Sequence, residues 1–188
     1  MHKENPELIP SQYIDRAKRL GTAELCDAIN ALHLDIPNSG CMVPGIKPVS
    51  DDMKMVGTAM TVETKDGDNL PIHLCCYSEG ADGYALVIDG KGYKERAYLG
   101  DLILAAVQAV GFCGIVIDGY TRDKLGNISL DFPVWSRGFI PNSPIKKHPG
   151  STNTEIICGG VKVKAGDLVV GDADGVCVVP REHIAVVL

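Results

Sequence analysis

The sequence has no C-x-x-C pair, no H-E-x-x-H or comparable histidine spacing, and no apolar run that escapes interruption by Gly or Asp for more than a few residues. The first two absences take away the common zinc frameworks, and the third takes away a membrane-spanning helix. Met1-His2-Lys3 leads straight into charged residues, so no signal peptide is expected either. A cluster of Lys and Arg with interleaved aromatics is also missing. With a net charge of −6, that leaves no basis for direct nucleic-acid binding.

Cysteine is not scarce, but the seven (Cys26, Cys41, Cys75, Cys76, Cys113, Cys158 and Cys177) are an odd number in mostly apolar settings. They read as reduced, buried thiols of a cytoplasmic protein. Cys75 and Cys76 are adjacent, and neighbours in a helix or strand point apart, which argues against zinc there. His33 and His73 read as packing or capping residues. Asn127-Ile128-Ser129 fits the glycosylation acceptor pattern, but a cytoplasmic chain is not modified there.

What the sequence does have is enough apolar content, 45% of 188 residues, to bury the core of one globular domain spanning residues 1–188 without staples. Residues 84–89 (YALVID) and 114–118 (GIVID) are continuous, β-branched apolar runs, the pattern of strands buried on both faces. Residues 102–110 between them read as a helix stopped by Gly111. This β-α-β unit fixes one geometric relation. The helix runs about 14 Å at 1.5 Å per residue, and the strand after it runs back about 16 Å. Asp101 at the helix start therefore lies at the same sheet edge as Arg122-Asp123, which leave the second strand.

That edge, the carboxyl end of parallel strands, is where open α/β sheets bind ligands, and the Gly100-Asp101 turn adds the free amides of a helix N-terminus. The Arg122 guanidinium suits bidentate capture of a carboxylate, and Asp123 suits a hard divalent cation such as Mg²⁺ that keeps several of its waters. Together they suit a small keto acid on a metal. The alternative reading is a local Arg122–Asp123 ion pair closing a loop, with Asp101 serving only the helix start.

Elsewhere the pattern predicts helices over residues 11–20 and 22–33, the second capped by Thr22, a loop over 37–48, a strand over 56–63, a turn at 66–69 and a helix over 70–78. LVIDG at 86–90 echoes in IVIDG at 115–119, so Asp89 and Asp118 flank the candidate site either as supporting groups or as strand-ending turn residues. Past Asp123, short β segments at 132–138 and 159–180 describe a meander rather than more β-α units, with 171–175 as a hairpin turn rather than a calcium loop. The sum is a mixed α/β domain.

These residues carry a family resemblance over most of the chain. It rests on Thr22-Ala23 with Asp27, Gly57-Thr58-Ala59, Gly100-Asp101-Leu102, Gly114 through Gly119 leading to Arg122-Asp123, Phe132-Pro133-Val134 with Arg137-Gly138, and Gly159-Gly160-Val161 running to Asp172-Ala173-Asp174-Gly175. In combination the sequence resembles the RraA-like proteins, which include regulators of ribonuclease activity and 4-hydroxy-4-methyl-2-oxoglutarate aldolases. The resemblance implies a three-layer swivelling β/β/α fold, assembly as a trimer or a pair of trimers, and, in the aldolase members, a class II lyase using Mg²⁺ or Mn²⁺ on small 2-oxo acids, oxaloacetate decarboxylation included. The Asp-x20-Arg-Asp signature of active members is present as Asp101, Arg122 and Asp123.

Carried over by position, Asp123 anchors the metal and Arg122 binds the substrate carboxylate and polarises its keto oxygen. Asp101 holds metal-bound water and positions a proton donor, while the Leu102 and Ile103 amides beyond Gly100 complete a pyruvate cradle. Two departures bear on metal binding. Gly126 stands where many relatives have an acidic residue, and the sequence ends at Leu188, where relatives continue into a helix that can lend a glutamate to a neighbouring subunit. The resemblance also admits a non-catalytic regulator that binds ribonuclease E or an RNA helicase. The methyltransferase label found among relatives is rejected, because no Gly-rich loop follows the first strand.

Overall fold

The computed structural model describes residues 3–77 and 80–188. Helices α1 (Ser11–Ala17) and α2 (Thr22–Ala31) come first, followed by a 3₁₀ turn at Pro37–Gly40, strand β1 (Lys47–Pro48), strand β2 (Met55–Glu63) and helix α3 (Leu70–Cys75). The expected end of that last helix, Ser78, lies outside the described residues. Next are β3 (Tyr84–Asp89), β4 (Ala97–Leu99), α4 (Asp101–Ala109), β5 (Gly114–Ile117), β6 (Tyr120–Thr121), α5 (Lys124–Ser129) and β7 (Val134–Ser136). The chain closes with β8 (Ser151–Thr152), β9 (Ile156–Cys158), β10 (Val161–Val163), β11 (Leu168–Gly171), β12 (Val176–Val179) and α6 (Ile184–Val187).

The main sheet runs in the order β1-β7-β5-β3-β2-β11-β12, with β8 added beside β2. Its centre is parallel, β2 to β3 to β5 to β7, and its flanks are antiparallel. Every residue of β3 and β5 is buried, and successive side chains go to opposite faces. Leu86, Ile88, Ile115 and Ile117 pack with Ile72 of α3 and Leu104 and Val107 of α4. Ala85, Val87 and Val116 pack instead with Ile156, Val161 and Val163 of the β9–β10 hairpin. The order helix layer, sheet, second β layer is the swivelling β/β/α arrangement. A third cluster seats α1, α2 and α6 on β11 and β12 through Leu25, Ile29, Leu168, Val170 and Ile184. Among the described residues no helix is long and apolar enough to cross a membrane.

Three details differ from the sequence reading. The segment after Asp123 is not wholly a meander, because α5 crosses from β5 to β7, which pairs parallel to β5 and so adds one more β-α unit. The weak helix signal of KLGNIS, interrupted by Gly126, conceals it. Thr22 is not the cap of α2: Gly21 holds the cap position and Thr22 is the first helical residue. The cap comes from Asp172 in the hairpin between β11 and β12, whose carboxylate accepts the Thr22 amide at 2.7 Å and its hydroxyl at 2.8 Å. Burial alone would raise the Asp172 carboxyl, but these bonds and those from Asp174 and Gly175 hold it below the ordinary value. The 171–175 turn is thus a hairpin whose acid serves a helix.

Trp135 is fully buried, and its indole N–H donates to Asp172 O at 2.9 Å. Its six-membered ring packs against Gly171, where an added Cβ would stand 2.8 Å from Cε2 and Cζ2. A ring seated that deeply cannot swing away. Gly171→Ala is therefore expected to destabilise the fold by about 1–3 kcal/mol, the usual cost of overpacking. Urea unfolding followed by tryptophan emission measures it, and an unchanged midpoint would show that the ring has room to move.

Candidate active site

Strands β4 and β6 pair in parallel as a small sheet of their own, Ala97 opposite Tyr120 and Leu99 opposite Thr121. Each leads directly into a helix, β4 through Gly100 into α4 and β6 through Arg122-Asp123 into α5. The two helix starts lie side by side, tied by the Arg122 amide donating to Leu99 O at 2.8 Å. The predicted trio does converge, but at the carboxyl edge of this extra pair rather than on the tips of β3 and β5. Asp89 and Asp118, at those tips, are engaged elsewhere. Asp89 pairs with Lys91 at 2.8 Å, and Asp118 pairs with Arg137 while accepting the Gly159 amide at 2.9 Å.

Gly100 is the closest point of the junction. A Cβ there would collide with Asp123 Oδ2 and stand 3.1 Å from Arg122 Nε, so glycine is what lets the two turns meet. Asp123 itself has φ 58° and ψ 47°, the left-handed region that costs a residue with a side chain roughly 1–2 kcal/mol. Asn127 maintains that conformation. Its side-chain amide donates to Arg122 O at 2.9 Å, its backbone amide donates to Asp123 O at 2.9 Å, and it is 0% exposed. The burial also removes it as a glycosylation acceptor.

The resulting geometry aims the Asp123 carboxylate at Arg122, with Oδ2 3.3 Å from Nε, while Arg122 Nη1 donates to Ser143 Oγ at 2.7 Å. The two side chains are 35% and 41% exposed, and an ion pair at that exposure contributes little to stability. The loop-closing ion pair is therefore present, yet it leaves the guanidinium in reach of a ligand. Across the junction Asp101 Oδ1 accepts the Leu102 amide at 2.7 Å, and the Ile103 amide donates to Gly100 O at 3.1 Å. The two amides expected to form a cradle are thus occupied by internal acceptors, the first of them the side-chain carboxylate of Asp101. Gly126 packs on Asp101, and a Cβ at that position would lie 2.8 Å from Asp101 Oδ2. The absence of an acidic side chain at 126 and the position of Asp101 are one packing solution.

Among the described residues, no group of three or more His, Cys, Asp or Glu is arranged to hold a metal ion. The donors on offer at the junction are the carboxylates of Asp101 and Asp123. That sparse set fits Mg²⁺ or Mn²⁺, hard ions that bind through one or two carboxylates and retain water, and does not fit zinc.

A β/β/α domain with an arginine-aspartate turn facing a helix-initiating aspartate defines a recognisable class of small α/β proteins. The chain belongs to the RraA-like family: residues 22–178 match the family model described as Aldolase/RraA. A relative from Halalkalibacterium halodurans, provisionally named a 4-hydroxy-4-methyl-2-oxoglutarate aldolase, is 37% identical over 90% of this chain and 77% of its own. A crystal structure from Streptomyces coelicolor, described as an unusual member of the RNase ES inhibitor RraA protein family, superposes with a TM-score of 0.81 at 26% identity, covering 98% of this chain and 91% of that one. The RNA-processing inhibitor RraA of Thermus shares the fold, with a TM-score of 0.73 at 22% identity over 86% of this chain and 93% of its own.

Asn127 and Ser143 escaped the sequence reading, Asn127 because it sat inside a glycosylation pattern and Ser143 because nothing in a Pro-rich loop marks one serine. The strain at Asp123 gives a direct test of its role. Asp123→Gly removes both the left-handed cost and the exposed ion pair, so stability is expected to stay level or rise by about 1 kcal/mol. Chemical denaturation measures this, and a loss of more than about 2 kcal/mol would make the Arg122 pair a structural clasp.

Proposed function

We propose that this protein is a divalent-metal-dependent class II lyase that cleaves or decarboxylates small 2-oxo acids through a pyruvate enolate. The observation that supports it best is the strained Asp123 beside a half-exposed Arg122, held there by the buried Asn127. Left-handed aspartates also occur at Asp66 and Asp131, so what singles out Asp123 is the combination of the buried Asn127 and the adjoining guanidinium, which fixes one carboxylate beside one cation. The provisional aldolase name of the Halalkalibacterium relative points the same way.

In this reading Arg122 grips the substrate carboxylate through its planar fork and shares the negative charge that develops on the keto oxygen as the carbon-carbon bond breaks. Ser143 fixes the guanidinium from behind. Asp101 orients the water that returns a proton to the methylene carbon. On substrate entry the Asp101 carboxylate turns away from the Leu102 amide, freeing that N–H, and with it the helix start, for the substrate's oxygens. Mg²⁺ or Mn²⁺ held by Asp123 supplies Lewis-acid polarisation of the keto oxygen when bound.

The same reading includes a homo-oligomer, a trimer or hexamer. Leu102 at 80% and Leu125 at 79% exposure are large apolar side chains at the mouth of the site, with Ile128 partly exposed on the helix that carries Leu125 and Phe139 in the segment after β7 that bridges to Thr121. A second subunit over them would exclude water from the reaction. The first half of the segment 126–150 packs into its own core through Phe132, Val134 and Trp135, so only the later, more exposed part is left for a neighbour. The second reading is a regulator that binds ribonuclease E or an RNA helicase, favoured by the names of the Streptomyces and Thermus proteins.

Oxaloacetate is the simplest probe, because loss of CO₂ gives the same enolate as aldol cleavage. Turnover is expected with Mg²⁺ or Mn²⁺ and is expected to stop with EDTA; its absence on every 2-oxo acid tested, together with stoichiometric capture of a ribonuclease, would favour the regulator. Asp123→Ala is expected to abolish metal dependence, and Asp101→Asn to lower kcat more than it changes KM. Arg122→Lys is expected to cost roughly tenfold or more for the loss of one charged hydrogen bond. Gly126→Ala is expected to lower turnover by displacing Asp101, with the fold intact by circular dichroism. Light scattering checks the assembly, and a mass near the 20.1 kDa of one chain would remove the shared-site expectation.

A further inference from the structure

Four arginines are half-buried, and three of them face a carboxylate: Arg122 with Asp123, Arg137 with Asp118 and Arg181 with Glu7. The fourth, Arg96, has no carboxylate within ion-pair distance among the described residues. Its guanidinium reaches the loop after Phe139 instead, where Nη1 donates to Ser143 O at 2.8 Å and stands 3.5 Å from Asn142 Oδ1. Ser143 is also the residue whose hydroxyl accepts Arg122 Nη1 at 2.7 Å. Two guanidiniums are thus held by one serine, Arg122 through the hydroxyl and Arg96 through the carbonyl. Like charges brought that close repel each other, and an anion shared between them relieves the repulsion.

The chain holds Arg96 in place from both sides. It stands one residue before β4, whose Ala97 amide donates to Asn142 O at 2.9 Å, and the Asn142 side-chain amide returns a bond to Glu95 O at 2.8 Å. On the other side the turn at Gly67 presses on its stem, with an added Cβ there only 2.7 Å from Arg96 Cβ. The Ile145 amide, donating to Gly67 O at 3.0 Å, ties that turn to the same loop. A guanidinium carries five N–H groups, and the bonds to Ser143 and Asn142 use only part of them. The remainder is a pre-placed fork, which loses little freedom on gripping a ligand.

We propose that Arg96 is a specificity-determining residue that takes the second carboxylate of a 2-oxo dicarboxylate, the assignment of the first to Arg122 resting on the lyase reading above. The forks are separated by one residue and two hydrogen bonds, a gap that suits a five-carbon diacid held at both ends. A ligand with a methyl group in place of the second carboxylate leaves a half-buried guanidinium without its anion, and a site built to bond a polar group rejects analogues that lack it. The grip also sorts reactions. In aldol cleavage of a 4-hydroxy-2-oxo diacid, the bond between the third and fourth carbons breaks and its electron pair enters the enolate. The hydroxyl proton passes to the water oriented by Asp101, which returns one to the third carbon, and the aldehyde leaves with its carboxylate and that carboxylate's charge intact. In decarboxylation of oxaloacetate the second carboxylate itself departs as neutral CO₂, so holding its charge stabilises the ground state more than the transition state. Arg96 therefore favours aldol cleavage.

Calorimetry on the full chain with Mg²⁺ tests this without turnover. The ligands are 2-oxoglutarate, which has both carboxylates but no hydroxyl to support aldol cleavage, and 2-oxopentanoate, the same chain ending in a methyl group. The native protein is expected to bind 2-oxoglutarate roughly tenfold or more tightly than 2-oxopentanoate. Arg96→Gln is expected to erase that preference while leaving 2-oxopentanoate affinity unchanged, and Arg96→Lys to keep only part of it. The proposal is overturned if the native protein binds the two alike or binds neither, or if Arg96→Gln weakens both equally, as a mere brace of the 142–145 loop would. Should Arg96→Gln fail to fold, Arg96→Lys decides, because an ammonium cannot reproduce the fork and an undiminished preference overturns the assignment. A protein that shows the Arg96-dependent preference but turns over no 4-hydroxy-2-oxo acid would sink the lyase reading and leave the two-arginine clamp standing.

Discussion

Covering the central strands on both faces is the constraint from which the placement of every polar group follows. With helices on one side and a hairpin on the other, β3 and β5 have no face that tolerates a charge, so ionisable side chains appear only where these strands end. Asp89 and Asp118 sit at those ends and are neutralised at once by Lys91 and Arg137. The chain cannot put an unpaired carboxylate there at low cost. The candidate site is displaced one step outward, onto the β4–β6 pair, where exposure lets Arg122 and Asp123 remain half in water.

That displacement explains which parts of the site were legible. The β-α-β unit, its two strands and the helix from Asp101 follow from apolar runs and a glycine stop, because burial on both faces leaves a signal in composition. The meeting of Asp101 with Arg122-Asp123 follows from lengths alone. The β4–β6 pair does not, since strands of three and two residues are too short for any periodicity. Neither do α5 and Asn127: α5 is short and interrupted by Gly126, and although Asp favours the left-handed region, the sequence does not say which of its aspartates adopts it.

The capping of α2 shows the same limit. A local rule assigned the cap to Thr22, the best capping residue nearby, and local rules have no access to an acid 150 positions later. Asp172 serves Thr22 with its carboxylate and Trp135 with its carbonyl, so one turn orders the edge of the sheet and the start of a helix together. The resemblance to the RraA-like family was specific enough to predict the architecture because it combines such turns, spread along the chain, with buried strand segments such as Gly57-Thr58-Ala59 and Ile115-Val116-Ile117.

The borrowed cap also bears on the order in which the chain acquires structure. A ten-residue helix is marginal alone in water, and α2 has no side-chain cap of its own beyond Glu24 on the Gly21 amide. Its remaining stabilisation arrives only when the β11–β12 hairpin, made much later in synthesis, docks beside it. A nascent chain released from the ribosome up to β7 therefore carries an α2 that is unfinished, so a helix made early is secured late.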